Sequence, residues 1–148
     1  MNALSGGKKL EAYMRELSKR ADKSAMLRVG FLEGATYPDG TSAPMVAAIQ
    51  EFGAPSRNIP PRPYFRGMIA AKADTWGPAV GDLLKANKFD AEKTLGQAGA
   101  GIKSQLQQSI RDLTDPPLAE ATVRAKGFDK PLVDSGHMLN SVDFDVKT

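Results

Sequence analysis

The chain has 148 residues, close to the usual ~150 for one domain, with 41% hydrophobic and 25% charged residues and a net charge of +3. With no cysteine and a single histidine, it excludes disulfide scaffolds, thiolate zinc sites, cysteine nucleophiles and any site needing two imidazoles. No apolar run approaches the ~20 residues that span a bilayer, and Met1–Lys9 lacks the apolar centre of a signal peptide.

The first predicted element is a basic helix over residues 8–24. Leu10, Tyr13, Met14, Leu17 and Ala21 recur at helical spacing and make one apolar stripe. Residues 1–30 hold seven basic side chains against three acids, a local charge of +4 that leaves the rest of the chain at −1. Such a helix suits nucleic acid or an acidic partner. It equally suits a solvated face in which Glu11–Arg15 and Glu16–Arg20 form i,i+4 pairs. Leu27, Val29 and Phe31 then alternate as a strand, within which Gly30 points to a bulge or a close backbone neighbour.

Six of the ten prolines fall in residues 34–63. Pro38-Asp-Gly40 predicts a loop or long hairpin tip over 34–41. Ser42 caps a short helix with Pro44 in its first turn and Gly53 beyond its end, in which Met45, Ala48, Ile49 and Phe52 share a face. Residues 54–63 read as an extended, projecting arm, because Ile59-Pro-Pro-Arg-Pro63 disfavours both helix and strand pairing.

A third helix runs from Tyr64 to about Lys88, with a kink or split expected at Gly77-Pro78. Asp90 caps a fourth, to about Leu113, with a stripe of Leu95, Ala98, Ile102, Leu106, Ile110 and Leu113. Gly96, Gly99 and Gly101 each cost this helix about 1 kcal/mol relative to Ala, which makes sense where another backbone approaches closely or where the helix bends. Asp115-Pro-Pro117 ends it. A short helix from Pro117 to Gly127, an extended Lys130–Asp134, a helix capped by Asp134 or Ser135 and running through Leu139 or Asn140, and a strand of Val142, Phe144 and Val146 complete the chain. The pattern is a single α+β domain over 1–148, a small antiparallel sheet packed against several helices.

Enzyme motifs are imitated but not met. Gly6-Gly7-Lys8-Lys9 lacks the spacing and the strand of a phosphate loop. Gly96-Gln-Ala-Gly-Ala-Gly101 lies inside a helix rather than at a strand-to-helix turn. Asp134, Ser135 and His137 are too close in sequence to align as orienter, nucleophile and base. The expectation is a non-enzymatic protein without cofactor or metal.

Ala47-Ala-Ile-Gln-Glu-Phe-Gly53, followed by Ile59-Pro-Pro-Arg-Pro-Tyr-Phe65, resembles the "N-E-F-G … I-P-x-R-P-F" signature of tailed-bacteriophage neck and tail-completion proteins. Leu118-x-x-x-Thr122-x-x-x-Lys126-Gly127, then Lys130-Pro-Leu-Val-Asp-Ser-Gly136-x-Met138-x-x-Ser141-Val142, is similar to the family's C-terminal "K-P-L-x-D-T-G-x-L-x-x-S-I" element. The lambdoid minor tail protein Z and the virion morphogenesis proteins of contractile-tailed phages are relatives within it. Departures are Gln50 where Asn is common, Ser135 for Thr, Tyr64 beside Phe65, and the Gly77-Pro78 break.

The resemblance implies a virion protein at the head–tail junction, assembled in the host bacterial cytoplasm, forming a ring of six copies with DNA crossing its lumen. Its neighbours would be connector, tail-terminator or tail-tube proteins, with no membrane involved. Candidate interface residues are Glu51, Phe52, Gly53, Ile59, Pro60, Arg62, Pro63, Tyr64 and Phe65, and, near the C-terminus, Lys130, Pro131, Leu132, Asp134, Gly136 and Met138. Other readings stand beside these roles: a helix-end charge for Glu51, core positions for Phe52 and Phe65, backbone geometry for Gly53 and Gly136, and setting up the last helix for Lys130-Pro131. Lys8, Lys9, Arg15, Lys19 and Lys23 are the candidate contacts to DNA or an acidic partner. In a hexamer, six such helices would sum to about +24. The alternatives are a head-completion adaptor or tail terminator of the same connector and, more distantly, a small nucleic-acid-binding regulator.

Overall fold

The computed structural model describes residues 3–113 and 136–148. In chain order these form α1 (Ala3–Ala21), β1 (Met26–Phe31), α2 (Ala43–Phe52), a 3-10 turn (Pro55–Arg57), α3 (Tyr64–Ala86), α4 (Ala91–Asp112), α5 (His137–Asn140) and β2 (Val142–Lys147). The fold is α+β, five helices and a two-stranded antiparallel sheet among the described residues. The expected elements at 117–127 and 130–134 lie outside them.

The frame is a helical hairpin laid against the sheet. Asp90 Oδ1 accepts from Lys93 N at 3.0 Å and starts α4, as its position predicts. Asn87 reaches Thr94 and Gln97 across the turn, Trp76 Nε1 donates to Gln105 Oε1 at 2.8 Å, and Ser109 Oγ donates to Tyr64 O at 2.6 Å. These pairings hold α3 antiparallel to α4 along its length. α3 is not split, and Pro78 sits inside a helix that is continuous from Tyr64 to Ala86. The neighbouring residues face water, which can satisfy the carbonyl that Pro78 leaves unbonded.

β1 pairs with β2 from Met26↔Lys147 to Phe31↔Val142 without interruption, so Gly30 is not a bulge. Gly30 instead takes φ 155°, a backbone conformation that side chains rarely adopt, while an added Cβ would stand in ordinary contact with the Phe65 ring at 3.4 Å. Arg28 and Asp145 face each other across the strands in a two-pronged ion pair. The other face of the sheet lies on α4 at Gly99, where an added Cβ would collide with the Phe144 ring and stand 2.8 Å from Leu27. The neighbours that approach Gly99 are side chains rather than another backbone, nothing lies near Gly96 or Gly101, and the structure offers no reason for those two glycines.

The core gathers Ala47 from α2, Tyr64 and Met68 from α3, Leu106 and Ile110 from α4, Met138 from α5 and Val142 from β2. At α5 the cap is Gly136, with φ 73°, rather than Ser135 or Asp134. A left-handed residue ahead of so short a helix lets the Asn140 amide close onto the Gly136 carbonyl at 2.8 Å.

Candidate interaction site

The residues of the first signature, 47–65, fold into one compact knot. Ser42 caps α2, accepting from Met45 N at 3.4 Å, and Gly53 ends it with φ 76°. Gly53 is required there, because an added Cβ would stand 2.8 Å from both Ile59 O and Pro61 N. The chain then turns back on itself. Ala54 and Ile59 exchange backbone hydrogen bonds at 2.8 and 3.1 Å, Asn58 takes the left-handed conformation, and Arg62 N donates to Gln50 O at 2.8 Å. Residues 54–63 are therefore not an extended, projecting arm. The prolines fix φ in a turn that the flanking amides can close, and Pro60, Pro61 and Pro63 remain at its surface.

Glu51 is the centre of the knot and only 5% exposed. Its Oε2 accepts from Phe65 N at 3.0 Å, and its Oε1 from Arg66 N at 3.2 Å and Arg66 Nε at 2.7 Å. Pro63 supplies no side-chain cap to α3, so the Glu51 carboxylate takes the unpaired amides and the positive end of the helix dipole. Glu51 is thus an internal fastener rather than an interface contact. Tyr64 is likewise internal. Its hydroxyl donates to Ala47 O at 2.9 Å, and burial pushes the phenol above its usual pKa. Met138 is also buried, Gly53 is half-buried at the turn, and Phe65 is half-buried against Tyr64. Lys130, Pro131, Leu132 and Asp134 lie outside the described residues.

Arg62 is 6% exposed. Gln50 Oε1, at 3.3 Å, is its one side-chain partner among the described residues, and its Nε has none. Burial lowers its pKa from the ordinary arginine value.

Among the described residues, two apolar surfaces stay open. On the knot, Met45 and Phe52 are 61% and 64% exposed. The helical face that also holds Ala48 and Ile49 therefore turns largely outward, while Ala43, Ala47 and Glu51 turn inward. The Arg66 guanidinium stacks 5.0 Å over the Phe52 ring. Beside them a groove of about 350 Å³ is lined by Phe31, Ala47, Ala48, Phe52 and Phe65. The second surface is α1, which begins at Ala3 and takes in Gly6 and Gly7, residues whose low helix propensity favours a later start. Leu10, Tyr13 and Met14 on its stripe are 61%, 55% and 55% exposed. Its tie to the body lies at its C-terminal end, where Arg20 donates to Lys88 O at 3.2 Å. The expected Glu11–Arg15 and Glu16–Arg20 pairs are both present.

Lys8, Lys9, Arg15 and Lys19 are exposed along α1, and Lys23 follows it. At about 100° per residue, Lys8, Arg15 and Lys19 fall opposite the apolar stripe, and Lys9 falls on its border. Sequence reasoning missed Arg66, Gln50 and the exposure of Met45. The partner of Glu51 is fifteen residues away along the chain, so no local spacing reveals it. Among the described residues there is no cluster of three or more potential metal ligands, and no helix is long and apolar enough to cross a membrane. Comparison of the chain with protein-family models, curated proteins and solved structures returned no match.

Proposed function

We propose that this protein is a structural subunit of the head–tail junction of a tailed phage, a tail-completion or neck protein that assembles as a ring through which DNA passes. The observation that carries the proposal is the convergence of the two separated stretches on which the family resemblance rests. Ala47 and Tyr64 from the first, and Met138 and Val142 from the second, are packed in one buried cluster. On its outer side this module presents the Met45–Phe52 surface. Exposed large apolar side chains of this kind mark contact surfaces when they are grouped rather than scattered.

The charge on α1 fits the same reading. With the apolar stripe turned toward a neighbouring subunit, Lys8, Arg15 and Lys19 turn away from it. A ring of such helices would offer a basic surface to passing phosphates without reading sequence. Deleting the gene in its phage and imaging the particles tests the proposal. Filled heads beside separate, unjoined tails are expected, restored to whole virions when the protein is supplied in trans. Intact, infectious virions lacking the protein would overturn it.

A further inference from the structure

We infer that Arg62 is a docking point for a carboxylate of a neighbouring protein subunit, received on the Nε–Nη2 edge of its guanidinium. The inference rests on the assembly reading above for the existence of a neighbour, and on the guanidinium itself for the chemistry.

Glu51 and Arg62 are the two buried charged side chains among the described residues, and they do not balance each other. Glu51 spends its oxygens on Phe65 N, Arg66 N and Arg66 Nε. Arg62 Nη1 donates to the neutral Gln50 amide oxygen at 3.3 Å, and no acid among the described residues pairs with it. Burial alone acts on its pKa, downward, with no carboxylate opposing it. A guanidinium keeps its charge even so, and a buried charge without a counter-charge is costly. The counter-charge is therefore expected from outside.

Two other arginines show what this edge of the group takes. Arg28 sets Nε and Nη2 on the two oxygens of Asp145. Arg66 sets them on the carboxylate and the carbonyl of Glu51. In Arg62, Nε is buried and Nη2 is not sealed from solvent, and neither has a partner among the described residues. The edge therefore opens outward through Nη2. The opening is narrow, because the residue is 6% exposed. A side-chain carboxylate enters on a thin stem and matches the fork with two parallel hydrogen bonds. A phosphodiester is tetrahedral and carries a sugar on either side. The rim is also stiff: Pro61 and Pro63 flank Arg62, whose own amide is held on Gln50 O at 2.8 Å. Little order has to be imposed when the acid arrives.

Two measurements on the purified full chain test the site. In the first, the Arg62 Nε–H resonance is followed by NMR while propionate is added, against sodium chloride at equal ionic strength. A saturable shift is expected with propionate, none with chloride, and a weaker one with inorganic phosphate. No saturable shift, or an equal response to phosphate, would overturn the assignment. In the second, Arg62→Met replaces the charge with an apolar chain of similar reach. Its urea midpoint is expected to equal or exceed that of the native chain. A lower midpoint would show that the charge is already balanced within the chain, and would overturn the inference.

A third measurement reads the use of the site. The deletion phage is supplied with Arg62→Met in trans, and unjoined heads and tails are expected. Joined, infectious virions would overturn the docking role. Sedimentation of the same variant separates the two sources of the acid. Loss of the native oligomer assigns it to a second copy, and an unchanged oligomer assigns it to a neighbour of different sequence. A propionate shift beside intact deletion virions sinks the proposed function and leaves the carboxylate site standing. Unjoined deletion particles without a propionate shift sink the site alone.

Discussion

Residues 43–66 and residues 3–21 each contain an amphipathic helix with large apolar side chains in water, yet the two are held in very different ways. α2 is fastened on its inner side at several points: the Glu51 carboxylate on the α3 amides, the Tyr64 hydroxyl on Ala47 O, and the Arg62 amide on Gln50 O. Among the described residues α1 is fastened at one end, and both of its ion pairs join residues of the same helix. The knot can present Phe52 and Met45 as a rigid surface, whereas α1 presents its stripe on a helix that gains most by meeting something else. Helical periodicity is the same in both cases. It reports that a helix has an apolar side, and says nothing about whether the same chain covers that side.

The sharpest way to break this contrast is at Glu51. Glu51→Ala leaves three N–H groups at the start of α3 without their acceptor, and is expected to cost about 3 kcal/mol in urea unfolding, the range for breaking a buried charged network. A loss below about 1 kcal/mol would mean that α3 is held without it. Gly53→Ala comes next. The positive φ and the 2.8 Å approach to Ile59 O and Pro61 N predict a cost of about 2 kcal/mol, measured the same way. Tyr64→Phe removes one buried hydrogen bond while keeping the ring, and is expected to cost about 1 kcal/mol. By contrast Tyr13→Ser on α1, at a position 55% exposed, is expected to change monomer stability by less than about 0.5 kcal/mol. An effect as large as that of Tyr64→Phe would show that α1 packs on its own body.

The smallest expected effect concerns acid. Arg28 holds the Asp145 carboxyl below its ordinary pKa of 3.8 by hydrogen bonding across the strands. The Phe144 amide, followed by Lys103, does the same for Asp143. A carboxyl lowered on folding stabilises the protein above its unfolded pKa, and that contribution is lost as pH falls through the lower folded value. Stability should therefore drop below about pH 4, and Asp145→Asn should flatten that drop. An unchanged acid limb in the variant would show that water already screens the pair.

Much of the architecture was legible from local signals. Ser42 and Asp90 as caps, Gly53 as a stop, and the alternation at 27–31 and 142–146 each concern groups a few residues apart, where spacing alone decides the geometry. What was not legible depends on distance along the chain. Glu51 reads as a helix-end charge until α3 is brought back onto it. The prolines of 54–63 read as an extended arm until the Ala54–Ile59 bridge closes. Pro78 reads as a break until α4 is laid alongside. Of the candidate site residues, Glu51, Gly53, Tyr64 and Met138 proved to build the module, and Phe52 proved to lie on its surface.

Sedimentation of the purified full chain beside its Leu10→Glu variant tests most directly whether α1 is a joint between copies. A ring joined through that stripe predicts a closed oligomer for the native sequence and a folded species of 15.8 kDa for the variant at the same concentration. Identical sedimentation of the two, whether both as monomers or both as oligomers, would contradict it.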